Sequence, residues 1–392
     1  MKIETKVVHS GERRKAGDYV PVTTPIYTAT TYSYESMAQL DRIFGGEEKG
    51  PSYIRYDNPT TNALETLIND LEGGHGAVAC ASGMSALHVS LMAALLDRPK
   101  RVVAASALYG ATTNMLMNVL GPLGIETTFV DVCDVDAVTA AVAEAKPGAI
   151  LMETISNPLL RVGPIDKIAA IARSADAPLI VDNTFATPVL VRPIELGASI
   201  VMHSATKYLA GHGDVLGGAI VADRASFDAI KTLTITLGPS MSPFEAYLTM
   251  RGVKTLSLRV ERQCANACRI ASWLAAHPRI ERVNFTGDPA HPDASTIARL
   301  MPKNLYGAMI SFELKDAGRE EVFHFMERLK TIVRGTSLGD VQTMVLYPAI
   351  SSHRDIAPKQ RLRLGIRDSL VRMSVGIEAV EDIVADLEQA LL

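Results

Sequence analysis

The sequence predicts an α/β protein: a large doubly wound domain followed by a smaller α+β C-terminal domain. Three observations predict it. Short apolar runs alternate with helical patterns of about 10–15 residues, which marks a mostly parallel sheet covered on both faces. Functional residue types stand directly after several of those runs, where such sheets bind ligands. The alternation then ends near Leu237-Gly238-Pro239-Ser240, and a long helical segment leads into a different pattern. The chain has 392 residues, and at one domain per ~150 residues it holds more than one. The boundaries fall at 1–60, 61–242 and 243–392.

Residues 1–60 are rich in Thr, Tyr, Pro and Gly, so PVTTPIYTATTYSY reads as an irregular arm serving binding or a partner subunit. At its end stands Tyr53-Ile54-Arg55-Tyr56-Asp57-Asn58-Pro59-Thr60. Arg55 and Tyr53 could hold a phosphate there, or the stretch could be a solvated loop. Thr61–Leu71 is helical and Ala77–Cys80 a buried strand. Ala81-Ser82-Gly83-Met84-Ser85 then opens an apolar helix to about Leu96. A small-residue turn into a helix N-terminus is a ready anion site; its motif is not a P-loop, and a plain tight turn reads the same way.

Strands follow at Arg101–Ser106, Glu126–Val130, Ala149–Met152 and Pro178–Val181, with helices over Ala111–Leu120, Val135–Ala145 and Ile165–Ser174. Glu153 and Asp182 stand at two strand ends, and Asn157 and Tyr109-Gly110 lie just beyond others. Asp182 could pair with a protonated ring nitrogen or cap the next helix. Tyr109 could stack on a flat ring or donate a proton. The apolar run Ile200-Val201-Met202 leads into His203-Ser204-Ala205-Thr206-Lys207. Ser204 and Thr206 suit a phosphate, and Lys207 suits a Schiff base with a carbonyl group; an exposed loop lysine is the plainer reading. Gly217–Val221 is another strand.

A single long helix is expected from Pro243 to His277, linking the domains. Strands at Arg282–Phe285, Ala308–Leu314 and Leu370–Val375 follow. Ile377–Leu391 closes the chain as an amphipathic helix, with Ile377, Val380, Ile383, Val384, Leu387 and Leu391 on one side. Arg372 lies inside an apolar strand, where burial is costly unless it meets an anion such as a substrate carboxylate; an outward-facing arginine is the alternative.

The net charge of -4, without a basic stripe, gives nucleic-acid binding no support. No apolar run approaches the ~20 residues of a membrane span, and MKIETKVVHSG lacks a signal peptide's apolar core. The expectation is a cytoplasmic protein. Cys80, Cys133, Cys264 and Cys268 form no CxxC, and the histidines no HExxH, so neither a disulfide framework nor a metal site is expected.

Taken together, the Lys207 turn, Ala81-Ser82-Gly83-Met84, the Tyr53–Thr60 stretch, Glu153-x3-Asn157-Pro158, Asp182-Asn183-Thr184-Phe185 and Arg372-x-Ser374-Val375-Gly376 resemble one family. It is the cysteine/methionine-metabolism group of pyridoxal-phosphate enzymes, with cystathionine γ-lyase, cystathionine γ-synthase, methionine γ-lyase and O-acetylhomoserine sulfhydrylase among its members. The resemblance covers essentially the whole chain and departs at Ser199, where the family usually has an acid. It implies fold type I, the aspartate-aminotransferase-like fold, and pyridoxal 5'-phosphate as cofactor. It implies Lys207 as the Schiff-base lysine and Asp182 on the ring nitrogen. Tyr109 would stack on the ring and protonate a departing thiolate. Gly83, Met84, Ser204 and Thr206 would take the phosphate. Tyr53 and Arg55 would complete the phosphate site of a neighbouring subunit, within a homotetramer of two active-site dimers. Asn157, Ser337 and Arg372 would hold the substrate.

Within the family the resemblance is mixed. Methionine γ-lyases typically have cysteine where Ala111 stands, and cystathionine γ-lyases often have arginine where Asn114 stands. Members that handle cystathionine tend to have glutamate at the place of Gln342. A neutral Asn114 and Gln342 would forgo a charge-assisted contact worth ~1.5–3 kcal/mol. The expected enzyme is therefore a carbon–sulfur γ-lyase for methionine or homocysteine, with cystathionine weaker. The alternative is γ-replacement on an activated homoserine ester.

Overall fold

In the computed structural model, residues 1–14, 19–48, 50–354 and 358–392 are described. Seven strands form the first sheet: β1 (Gly76–Cys80), β2 (Arg101–Ala105), β3 (Glu126–Val130), β4 (Ala149–Glu153), β5 (Leu179–Asp182), β6 (Ile200–Ser204) and β7 (Gly218–Ala222). Their order is β1-β7-β6-β5-β4-β2-β3. β2 to β6 run parallel and β7 runs antiparallel to both neighbours. The strands read as near-continuous apolar runs because helices cover both faces, and β4 is buried along its whole length.

The smaller sheet has the order β10-β11-β12-β9-β8. Its strands are β8 (Ile280–Asn284), β9 (Met309–Leu314), β10 (Val333–Arg334), β11 (Met344–Leu346) and β12 (Leu370–Ser374). β10 and β11 have two and three residues, too short to leave a period in the sequence.

The expected helix from 243 to 277 is two helices, Pro243–Val253 and Leu256–Ala276. The break has a local cause. The Gly252 carbonyl, which a continuous helix would pair with residue 256, accepts instead from Arg259 Nη2 at 2.9 Å and from the Thr255 N–H at 3.2 Å. The second helix spans both cores: Leu256, Val260 and Cys264 pack with the first sheet, and Ile270 and Leu274 with the second. Its polar residues reach three separate segments. Arg259 Nη1 donates to Tyr208 O at 2.9 Å, Gln263 Nε2 to Asp340 O at 2.7 Å and Asn266 Nδ2 to Gly376 O at 3.1 Å.

Three other expectations change in detail. The arm contains two short helices, Ile3–His9 and Met37–Phe44. The pattern over Ala111–Leu120 becomes an α-helix, Gly110–Asn114, continued by a π-helix, Met115–Leu120. The closing helix starts at Val380 rather than Ile377; Ile377 instead belongs to the preceding loop, where its N–H donates to Val341 O at 2.8 Å. Among the described residues no helix is long and apolar enough to cross a membrane.

Candidate active site

β4, β5 and β6 end side by side, in register, with Glu153 opposite Asp182 and Asp182 opposite Met202. Their ends open into a cavity of about 490 Å³. Glu153, Asp182, Met202 and Ser204 form its floor, with Thr206 and Lys207 on the turn after β6. Ser82, Gly83 and Met84 enter from the start of the helix Gly83–Ala94. Asn157, Thr336, Leu338, Leu346, Ser351, Ser352 and Arg372 form the opposite wall, and Tyr109, Thr112, Ile155, Thr184, Phe185, Leu87 and Leu216 complete the lining.

At the helix start, Ser82 takes the N–H of Ser85 in a capping box. The first-turn N–H groups of Gly83 and Met84 have no carbonyl within helical reach and face an anion-favouring dipole end. Gly83 is required by packing, since a Cβ there would stand 2.8 Å from Ser204 Cβ and 3.0 Å from its Cα. Thr206 Oγ1 is tied to Gly217 through both its N–H, at 3.0 Å, and its carbonyl, at 3.2 Å.

The floor holds two neighbouring carboxyls without a cation of their own. Burial and the Asp182 charge hold Glu153 well above the usual carboxylate range, although its Oε1 accepts the Tyr109 N–H at 2.6 Å. Burial also raises Asp182, opposed by the Thr184 N–H on Oδ1 at 3.0 Å. Among the described residues neither carboxyl forms an ion pair. A protonated ring nitrogen placed there would lower both.

Lys207 Nζ donates to Ser337 Oγ at 3.0 Å. Burial, with Arg372 as a nearby like charge, holds its amine below the usual lysine range. Arg372 is 3% exposed, so it does not face outward. Its Nη1 donates to Asn157 Oδ1 at 3.0 Å and its Nη2 to Ser337 O at 3.3 Å, while Nε has no hydrogen-bond partner among the described residues. Burial lowers the guanidinium to about 10. A buried cation held only by neutral oxygens, with its Nε–H unmatched among the described residues, suits a carboxylate.

The structure thus brings Lys207, Tyr109, Gly83, Met84, Asp182, Ser204, Thr206, Asn157, Ser337 and Arg372 to one place. Four expected residues lie elsewhere. Tyr53 and Arg55 are outside this cavity: Arg55 stacks 4.9 Å from the Tyr56 ring centroid and donates to Ile235 O. Asn114 is exposed and its carbonyl oxygen accepts from Asn118 Nδ2 at 2.7 Å, so it pairs along its helix while Thr112 meets the cavity. Gln342 is also exposed and outside the lining. The argument from a neutral Asn114/Gln342 pair in the pocket therefore does not hold for this chain. Ser351 and Ser352 join the lining without any motif or period to mark them in the sequence; the loop that carries them packs on Gly110, where a Cβ would stand 2.1 Å from Ser352 O.

The fit of pyridoxal 5'-phosphate to these residues is chemical. A depressed lysine suits its carbonyl, two raised carboxyls suit its ring nitrogen, and a capped helix start with hydroxyls suits its phosphate. Fold and cavity define a pyridoxal-phosphate-dependent enzyme of fold type I. Residues 4–392 match the family described as Cys/Met metabolism PLP-dependent enzyme, and the chain belongs to that family. It is 39% identical over 394 residues to an L-methionine gamma-lyase of Pseudomonas putida, covering 99% of this chain and 96% of that one. It is 40% identical over 396 residues to a cystathionine beta-lyase of Coxiella burnetii, covering 99% and 97%. A crystal structure of cystathionine gamma synthase from Xanthomonas oryzae pv. oryzae, in complex with cystathionine, superposes with a TM-score of 0.92 at 35% identity, covering 100% of this chain and 98% of that one. The protein is thus an enzyme of lyase or transferase type.

Proposed function

We propose that this protein is a carbon–sulfur γ-lyase for neutral sulfur amino acids, foremost methionine and homocysteine, with cystathionine a weaker substrate. The products are 2-oxobutanoate, ammonia and a thiol. The observation that carries this reading is the charge inventory of the cavity. Its charged lining consists of Glu153, Asp182, Lys207 and Arg372. With Arg372 on the α-carboxylate and the two acids beneath the ring, a distal ammonium or carboxylate finds no further counter-charge among the described residues of the lining. The 39% identity to the L-methionine gamma-lyase of Pseudomonas putida supports the same reading.

In this reading Gly83, Met84, Ser204 and Thr206 hold the cofactor phosphate, Asp182 its ring nitrogen and Tyr109 its face. When bound, the cofactor supplies a carbonyl for the substrate amine and an electron sink for the α-carbon. Arg372 and Asn157 fix the substrate α-carboxylate, and so aim the Cα–H bond. Lys207 Nζ is the base: burial and the Arg372 charge hold its amine below the usual lysine range, which suits it to take the Cα proton and, once relieved of that proton, a Cβ proton. The Ser337 hydroxyl keeps that amine on the wall where Arg372 stands. The Tyr109 hydroxyl donates a proton to the departing sulfur. Tyr53 and Arg55, lying outside their own cavity, serve the phosphate of a second copy in an active-site dimer, two of which make a homotetramer. The arm (1–60), cofactor domain (61–242) and C-terminal domain (243–392) divide these tasks.

A second reading is γ-replacement, favoured by the full-length match to a cystathionine gamma synthase. The same residues would then admit a thiol after the leaving group departs. The deciding measurement is product release from methionine, homocysteine and cystathionine, with Lys207→Ala as blank. Strong 2-oxobutanoate release from methionine or homocysteine is expected. Cystathionine turnover far above both would overturn the neutral-pocket reading, and pyruvate from cystathionine would indicate β-cleavage. Product only from a homoserine ester plus a thiol would establish replacement.

A further inference from the structure

The three strands that end at the cavity each send one residue into it and its neighbour the other way. Side chains alternate across a strand. Glu153, Asp182 and Ser204 therefore face the cavity, while Thr154, Asn183 and His203 turn to the far side of the sheet. There they are buried, at 0%, 0% and 1% exposure, and joined by hydrogen bonds. Thr154 Oγ1 donates to Asn183 Oδ1 at 2.7 Å. Asn183 Nδ2 donates to Glu72 Oε1 at 2.9 Å and to Val191 O at 2.8 Å. His203 Nε2 meets the same Glu72 oxygen at 2.6 Å.

Glu72 belongs to none of these strands. It is the last residue of the helix Pro59–Glu72, fully buried, and its Oε2 has no hydrogen-bond partner among the described residues. Two local preferences oppose it there. A carboxylate at a helix C-terminus faces the negative end of the dipole, and a buried acid with an unmatched oxygen is costly. An apolar side chain would serve packing alone better. Residues that break local rules without a packing gain concentrate at functional sites.

We propose that Glu72 is a positioning residue for the cavity floor. Through Asn183 and His203 it fixes where β5 and β6 end, and so where Asp182 and Ser204 stand against the cofactor. The proposal rests on the reading of Asp182 and Ser204 as cofactor-holding residues, and its test separates the two.

The test is the dissociation constant of pyridoxal 5'-phosphate from the holoenzyme, read by its visible absorbance, with folding checked by circular dichroism. Glu72→Ala strands two buried donors, and about tenfold weaker binding is expected. Glu72→Gln keeps an acceptor for both and should bind within about threefold of wild type. Unchanged binding in Glu72→Ala, while Asp182→Ala is weakened, overturns the proposal alone. Equal losses in both Glu72 variants also overturn it, because hydrogen-bond geometry is then not what matters. Unchanged binding in Asp182→Ala overturns the site reading and this proposal with it. If Glu72→Ala does not fold, Thr154→Val carries the test: about threefold weaker binding supports the proposal, and wild-type binding refutes it.

Discussion

The floor of the cavity and its opposite wall are built on different plans. The floor is made where adjacent parallel strands stop, so its side chains are set by sheet register and backbone hydrogen bonds. The wall is assembled from distant segments: Asn157 on a hairpin after β4, Ser337 and Ser351–Ser352 on loops, and Arg372 inside β12. Its members hold one another through Arg372, which donates to Asn157 Oδ1 and to Ser337 O, and one bond, Lys207 to Ser337, ties the wall to the floor. The difference teaches that cofactor affinity and substrate affinity should respond to different substitutions.

The strongest way to break that separation is Arg372→Met. It should lower kcat/KM by about 100-fold through loss of a charge-assisted carboxylate contact, with cofactor absorbance retained. Parallel loss of cofactor would show that wall and floor are one unit.

A milder test acts at a distance. Asp293 accepts Arg161 Nε at 2.7 Å, Arg161 Nη2 at 2.9 Å and the Val162 N–H at 2.9 Å. These bonds hold the base of the Asn157 hairpin, where Ile155 pairs with Val162. Asp293→Asn should raise KM by about tenfold and leave cofactor binding unchanged; steady-state kinetics and an absorbance titration check both.

A third measurement reads the electrostatics between the two regions. The rate at which cofactor-free protein captures pyridoxal 5'-phosphate should rise with pH as the Lys207 amine loses its proton. Burial and then Arg372 depress that amine, so the rise should fall below the ordinary lysine range. In Arg372→Met a like charge is gone, the ammonium is less disfavoured, and the rise should move to higher pH. No movement would mean that Arg372 does not act on Lys207.

The smallest effect is expected from Asn114→Ala and Gln342→Ala. Both side chains are exposed and outside the cavity, and each should change kcat/KM by less than about twofold. A larger change would restore them to the wall.

The same contrast explains what could be read in the sequence. Floor residues follow apolar runs directly, so Glu153, Asp182 and the Ser204–Lys207 turn were legible from strand pattern and motif. Gly83 was legible as a helix start, because a capping serine precedes it. The wall was legible only in part. Arg372 stood out as a charge inside an apolar strand, but Ser351 and Ser352 sit in a loop with no period. Asn114 is suggested by the resemblance alone; in this chain it is exposed and pairs with Asn118 along its helix. The break before Leu256 is hidden because it depends on where one nearby side chain is aimed, Arg259 onto the Gly252 carbonyl seven residues back, which a periodic pattern does not show. Glu72 carries no signal in the sequence, since nothing in a linear pattern shows that His203 and Asn183 converge on it.

The helix Leu256–Ala276 has a mechanical consequence. Arg259, Gln263 and Asn266 grip the backbone beside Lys207, Ser337 and Arg372 in turn. From the first to the last of them the helix rises about 10 Å, at ~1.5 Å per residue. It therefore works as a ruler. The spacing between Lys207 and Arg372 is referred to one stiff rod as well as to the segments that carry them. Any rocking of the small sheet against the large one must pivot about that rod or break bonds buried beneath it.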